Sequence, residues 1–153
     1  MSIIESVTAK ENVTQVNVYN MPSDSCFFSE VFKLLKQNMV NIDMICRPVT
    51  HLTTSTLSFS CDDKDFNTVI AVLNMLKRDY KQIKFSFCTS NCKIVVKGEK
   101  MRDTFGIASD VFGVICSEGI DILLICTSET EISLLVSGHN GDKALSALTK
   151  RFL

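Results

Sequence analysis

The second half of this chain repeats the first at a constant spacing of 80 residues. Met21, Ser29, Val31, Phe32, Ile42, Ile45 and Cys46 recur as Met101, Ser109, Val111, Phe112, Ile122, Ile125 and Cys126, and Val40 is matched by Ile120. A period of this length marks one supersecondary unit used twice. Paired units of this kind bury a common sheet and carry ligand sites where the copies meet.

With 153 residues, 46% of them hydrophobic, the chain can bury a core in one domain or in two small ones, and the duplication favours two. A net charge of −1 and a pI near 6.1 lack the basic footprint of a protein that grips phosphate backbones, so no nucleic-acid partner is expected. No run reaches the roughly 18 apolar residues of a membrane span, and MSIIESVTAKENV has neither the basic nor the apolar part of a signal peptide. The chain reads as cytoplasmic and without a membrane partner. Its seven cysteines are an odd number in mostly apolar surroundings, which suits reduced, buried thiols better than a disulfide framework. Cys88 and Cys92 are too far apart for a C-x-x-C pair and have no histidine nearby in sequence, so no metal and no cofactor is expected.

Each copy reads as strand, helix, strand, strand, helix. Val16 and Val18 alternate in QVNVY as in a half-buried strand, and Phe28, Val31, Phe32, Leu35 and Met39 follow at helical spacing to a stop near Asn38. NIDMI is the second strand and TLSFS the third. Asp62 or Asp63 then caps a helix with the stripe Phe66, Val69, Ile70, Leu73 and Leu76, and Ile83, Phe85 and Phe87 alternate as a fourth strand. The expected class is therefore α+β, a ferredoxin-like βαββαβ unit with helices on one face of an antiparallel sheet. The second copy runs KIVVK, GIASDVFGVICSEG, IDILLICTS, EISLLVSG and DKALSALTKRF, without a fourth strand of its own. The N-terminal IIESVTA is the strand-like piece left over. The expected domains are thus residues 11–90, and residues 2–9 with 91–153, the first inserted within the second. Leu57 and Ser58 match Ile132 and Ser133 at a spacing of 75, so the first copy is five residues longer between its second and third strands, at the expected surface loop RPVTHLTTST.

The stretch from GEKMR through GIASDVFGVICSEGIDILLICTSETEIS to the C-terminus resembles the C-terminal regulatory region of aspartate kinases. The carriers are the G-x-x-M-R stretch, the G-[VI]-A helix start, a glycine ahead of an [ND]-I strand, and T-S-E before I-S. IIESVTAKENVTQVNV is similar to the family's lead-in, so the resemblance covers essentially the whole chain. It implies two ACT domains, small modules that bind amino acids, pair with two-fold symmetry and report to an amino-acid kinase domain. Nothing here resembles that kinase domain: six glycines form no phosphate-cradling cluster. The chain is then expected to be a regulatory fragment or subunit of an enzyme that phosphorylates aspartate, with no catalytic residue of its own. Its expected partners are an amino-acid effector, lysine favoured over threonine, a second copy of itself, and a kinase domain or full-length kinase subunit.

In such a unit the loop after the first strand enters a helix N-terminus, whose free amides favour a carboxylate. By the resemblance, ligand contacts in the first copy fall on Met21, Ser23, Asp24, Cys26, Phe27, Phe28, Asn41, Ile42 and Asp43, with Arg47 where the family often has glutamine. In the second copy they fall on Gly106, Ile107, Asp121 and Ile122, with Thr127, Ser128 and Glu129 as the T-S-E set. The start of the second strand offers Asn41 and Asp43 as acceptors for an ammonium, and Asp24 with Asp43 beside Phe27 and Phe28 would suit a lysine side chain. The family's D-x-P-G loop is absent from the first copy, where Cys26 stands in place of the glycine. Asp24 and Asp103 also fit as ordinary helix caps, Arg47 and Arg102 as solvated charges, and His51 and His139 as loop residues. Two other classes compete: an ACT protein with another small ligand or a purely dimerising role, and a ferredoxin-like enzyme or RNA binder. The last lacks both a poised arginine–asparagine pair and a basic balance.

Overall fold

The computed structural model describes residues 2–48 and 53–153. Val49, Thr50, His51 and Leu52 of the expected surface loop lie outside the described residues. Six strands and four α-helices follow one another in an α+β order: β1 Ser6–Pro22, α1 Ser25–Gln37, β2 Ile45–Cys46, β3 Thr54–Asp62, α2 Phe66–Asp79, β4 Lys84–Lys97, α3 Ile107–Ser117, β5 Ile122–Thr127, β6 Glu131–Ser137 and α4 Gly141–Phe152. The chain divides into two compact units, residues 14–89 and residues 1–13 with 90–153. In the first the strand order is β2-β3-β1-β4, and in the second β1-β4-β6-β5.

Four expected strands are two. IIESVTA and QVNVY form the single β1, and the Ile83–Phe87 and KIVVK segments are joined in β4. Asn12 and Ser90 adopt positive φ inside these strands, a kink that local alternation does not announce. NIDMI is also corrected. Only Ile45 and Cys46 are strand, paired with Phe59 and Ser58. Before them the pairing is irregular: the Asp43 amide donates to the Ser60 carbonyl, and the Met44 amide donates to the Ser60 hydroxyl at 3.0 Å. The expected loop is shorter, since Thr54, Ser55 and Thr56 already belong to β3. The Asp62/Asp63 cap becomes a 3-10 turn over Asp63–Asp65, and α2 begins only at Phe66.

Period-2 alternation aims one face of each sheet at its helices. Residues 14–89 bury Val16 and Val18 of β1 and Leu57, Phe59 and Cys61 of β3 against Phe27, Val31 and Leu35 of α1 and Val69, Leu73 and Leu76 of α2. The other unit buries Ile94 and Val96 of β4 and Ile132, Leu134 and Val136 of β6 against Ile107, Val111 and Ile115 of α3 and Ala144 and Leu148 of α4. α1 and α3 end the same way. Met39 (φ 57°) and Gly119 (φ 66°) take the left-handed conformation, and the amides of Val40 and Ile120 reach back to the carbonyls of Leu35 and Ile115.

All seven cysteines are free, yet only Cys61 and Cys92 are buried; Cys26, Cys46, Cys88 and Cys116 are exposed, against the expectation of mostly buried thiols. Burial, helped by Asp65, Asp62 and Asp63, pushes the Cys61 thiol up to about 12. Burial, then Glu11 and Asp142, also raises Cys92.

The N-terminal segment is tied into the second unit. The Glu5 amide donates to the Lys97 carbonyl at 2.8 Å, and Ile4, 1% exposed, lies in that unit's core. Gly98 has no room for a side chain, because a Cβ there would run into the Ile3 carbonyl oxygen. Ile4→Ala should therefore cost about 2–5 kcal/mol, the range for emptying a closed core site. The check is urea denaturation of wild type and variant, with a lower midpoint at unchanged slope as the expected result.

Candidate functional site

The N-terminus of α3 is open. Gly106 enters it at φ 85°, where a β-carbon would be strained, and a side chain there would point into empty space. The first amides of a helix have no acceptor within it, and at α3 no side chain among the described residues caps them. Thr104, two residues ahead of the N-cap Gly106, donates its hydroxyl to the Lys100 carbonyl at 2.8 Å. The first backbone bond of the helix runs from the Asp110 amide to the Gly106 carbonyl. The positive end of the helix dipole therefore faces a hollow of about 340 Å³, lined by Met101, Arg102, Thr104, Phe105, Gly106, Ile107 and Ala108 on one side and Thr127, Ser128, Glu129 and Ile132 on the other.

The hairpin that closes this hollow is held by its own bonds. The Ser128 amide donates to the Glu131 carbonyl at 2.8 Å and the Thr130 amide to the Ser128 hydroxyl at 3.3 Å. This leaves the exposed Glu129 carboxylate at the rim. Arg102, half exposed, lies 3.5 Å from Glu99. The hollow thus pairs an anion-attracting helix end with a carboxylate, over apolar walls from Met101, Phe105 and Ile132, which is the complement of a small zwitterion.

Of the positions expected in the second copy, Gly106, Ile107, Thr127, Ser128 and Glu129 come together here. Asp121 and Ile122 do not line the hollow: they follow the C-terminus of α3 and begin β5. Phe105, fully exposed, and Arg102 are wall residues that no periodicity singled out. Met101, in contrast, was visible as the repeat of Met21.

The first copy is arranged differently. Asp24 caps α1, its carboxylate accepting from the Phe27 amide at 2.8 Å. Arg47, expected as a ligand contact or else a solvated charge, donates from Nη2 to the Ser23 carbonyl at 2.5 Å and lies over the Phe28 ring, 4.9 Å from its centre. Met21 is fully buried in the core. Asp24, Cys26 and Phe27 instead border a hollow of about 480 Å³ between α1 and α2, with Glu30, Leu34, Met75, Leu76, Asp79 and Tyr80. Asn41 and Ile42 line another, of about 420 Å³, at the C-terminal end of α1 with Phe32, Lys36 and Met39. Asp24 and Phe27 thus border a different hollow from Asn41 and Ile42, and neither hollow is lined by Asp43 or Phe28. A helix of 13 residues separates its ends by about 20 Å, and the second strand starts where the helix stops.

Among the described residues no helix is long and apolar enough to cross a membrane, and no cluster of His, Cys, Asp and Glu could hold a metal ion.

Residues 94–152 match the ACT domain family. The chain is 30% identical over 152 residues to an aspartokinase of Bacillus sp. (strain MGA3), an alignment that takes in 98% of this chain and 36% of that protein. It thus spans about a third of the length of the curated relatives it matches. In fold it is similar to the ligand-free regulatory subunit of aspartate kinase from Thermus thermophilus, with a TM-score of 0.87, 20% identity and 99% of both chains covered. It is also similar to E. coli aspartokinase III in complex with lysine and aspartate, with a TM-score of 0.76, 18% identity, 99% of this chain and 34% of that one. The resemblance read from M-R and T-S-E therefore runs the length of the chain.

The contrast at the two helix starts has a direct test. Asp24→Ala should lower stability by about 1 kcal/mol through loss of the cap, whereas Thr104→Ala, which removes no cap, should leave the thermal midpoint nearly unchanged. Calorimetric melting of both variants beside wild type reads the difference.

Proposed function

We propose that this chain, which resembles the regulatory region of aspartate kinases over nearly its whole length, is the amino-acid sensor of such a kinase, and that lysine or threonine is its effector. The observation that carries the reading is the uncapped start of α3 facing Thr127, Ser128 and Glu129. An effector's α-carboxylate would sit on the free amides at the start of α3, in the field of the helix dipole. Its ammonium would pair with Glu129, and its side chain would lie along Phe105 and Ile132. The kinase that receives the signal would be a domain or subunit outside this sequence, whose own reaction is phosphoryl transfer to the carboxylate of aspartate.

Two copies would serve this role better than one. The edge strands carry exposed apolar side chains, Ile45 on β2 and Leu123 and Ile125 on β5, and exposed edges are usually covered. Asn41, Ile42 and Asp43, or Asp121 and Ile122, lie at the far end of their own helix, so they would meet a ligand held at a helix N-terminus from another unit, as a second copy of the chain would supply. The proposed assembly is therefore a two-fold homodimer. Sedimentation at micromolar concentration should give twice the 17.1 kDa of the chain, and a monomer alone would exclude it.

Titration calorimetry with lysine and with threonine tests the sensor itself. Wild type should release heat with at least one of them, and Glu129→Ala should bind it roughly ten- to hundred-fold more weakly, the loss of one charge-assisted bond of about 1.5–3 kcal/mol. Equal affinities in both proteins would move the site elsewhere, and no heat with either amino acid would leave a dimerising module.

A further inference from the structure

The repeat supplies an internal comparison at the two helix starts. Where the second copy has Thr104, the first has Asp24, and where the second has Thr127, the first has Arg47. Both exchanges replace a small neutral side chain with a charged one, and both charges are turned inward on the unit's own chain. Asp24 puts a carboxylate on the Phe27 amide at the start of α1. Arg47 puts a guanidinium on the Ser23 carbonyl and over the Phe28 ring, and its Nε is buried without a hydrogen-bond partner among the described residues. A buried donor of that kind is retained only where the rest of the side chain is firmly held. Thr104, in contrast, is turned onto the Lys100 carbonyl, and Thr127 only lines an open hollow.

We infer that Asp24 and Arg47 are a built-in substitute for the effector in residues 14–89, so that the chain senses amino acids through the unit of Gly106 and Glu129 alone. The substitution is chemically matched. A free amino acid brings one carboxylate to the helix amides and one cation beside it, and the first unit already holds a carboxylate on the Phe27 amide and a cation on the Ser23 carbonyl. An incoming carboxylate would have to displace Asp24 from Phe27 and would meet its like charge at short range. An incoming side chain would have to lift Arg47 from Phe28, giving up a hydrogen bond and a cation–π contact together. The first unit would then be held permanently in the occupied arrangement, and the effector signal would arise once per chain rather than twice. This rests on the sensor reading above for its ligand, but its own content is the asymmetry between the two units.

The test is amide chemical-shift mapping by NMR with lysine and with threonine on wild type and on Asp24→Thr/Arg47→Thr, which installs the second copy's residues. In wild type the amides of Ile107 and Ala108 should shift and those of Phe27 and Phe28 should not. In the double variant both pairs should shift, and binding should rise from one site per chain to two. Movement of Phe27 and Phe28 in wild type at the same amino-acid concentration as Ile107 would overturn the inference, as would a folded double variant in which they stay still. If the double variant does not fold, Arg47→Thr alone, which keeps the cap, must open the first unit to at least weak binding, and no response there also overturns it. Silence at Ile107 and Ala108 in every protein is the separate failure of the sensor reading. In that case sensing through Gly106 is given up, and Phe27 and Phe28 decide only the substitute: a response in the opened variants supports Asp24 and Arg47 as the block on the first unit, and none overturns it.

Discussion

Both units are organised by a single requirement, that one face of a small antiparallel sheet be removed from water by two helices. The strands satisfy their half of it through alternation, with Leu57, Phe59 and Cys61 in one unit and Ile132, Leu134 and Val136 in the other. The helices satisfy theirs with stripes at i, i+4 and i+8, Val31 following Phe27 and Ile115 following Val111. Apolar burial at about 25 cal/mol per Å² makes this the dominant favourable term. It also dictates direction: a helix lying back over the strand before it must start where that strand ended. The following strand returns to the same edge, so its hairpin faces the helix start. The hollow at Gly106, with Thr127, Ser128 and Glu129 opposite, is a consequence of that path.

The same path has a second consequence. The residues that open the returning strand lie beside the helix C-terminus, a helix length away from the residues that precede the helix. Asn41 and Ile42 therefore line the hollow with Lys36 and Met39, while Asp24 and Cys26 border the one with Tyr80. One unit by itself does not bring the two sets together. The exposed Ile45, Leu123 and Ile125 on edge strands supply the apolar surface the proposed homodimer would cover.

Duplication preserved the frame and let the chemistry at the helix starts diverge. The helix C-termini kept one solution, a left-handed residue followed by a reach-back bond, even though one copy has Met39 and the other Gly119. The N-termini did not. α1 is capped by its own aspartate, while α3 starts at Gly106, which has no side chain to cap it. Packing tolerates either outcome, because a cap is worth only about 1 kcal/mol and the apolar stripes below it are unaffected. A unit can thus lose or gain a ligand without losing its fold.

Much of this was legible in the residues alone. The 80-residue repeat shows as recurring residues, the α+β class and the helices follow from local periodicity and turn chemistry, and the meeting of Gly106 and Ile107 with the T-S-E turn was implied by the family resemblance. The aspartate at position 24 was readable as a cap from the same local chemistry. What needed the tertiary structure is whatever depends on where the chain has come back to. That β1 and β4 each run through two expected strands turns on positive φ at Asn12 and Ser90, which no apolar pattern encodes. That Asp43 stands a helix length from Asp24 depends on the direction of the return, whereas the positions implied by the resemblance put both carboxylates beside one side chain. Arg47 reads as one more solvated charge in sequence; only the fold lays it over Phe28 with its Nη2 on the Ser23 carbonyl, because a contact across 24 residues is made by packing and leaves no local signature.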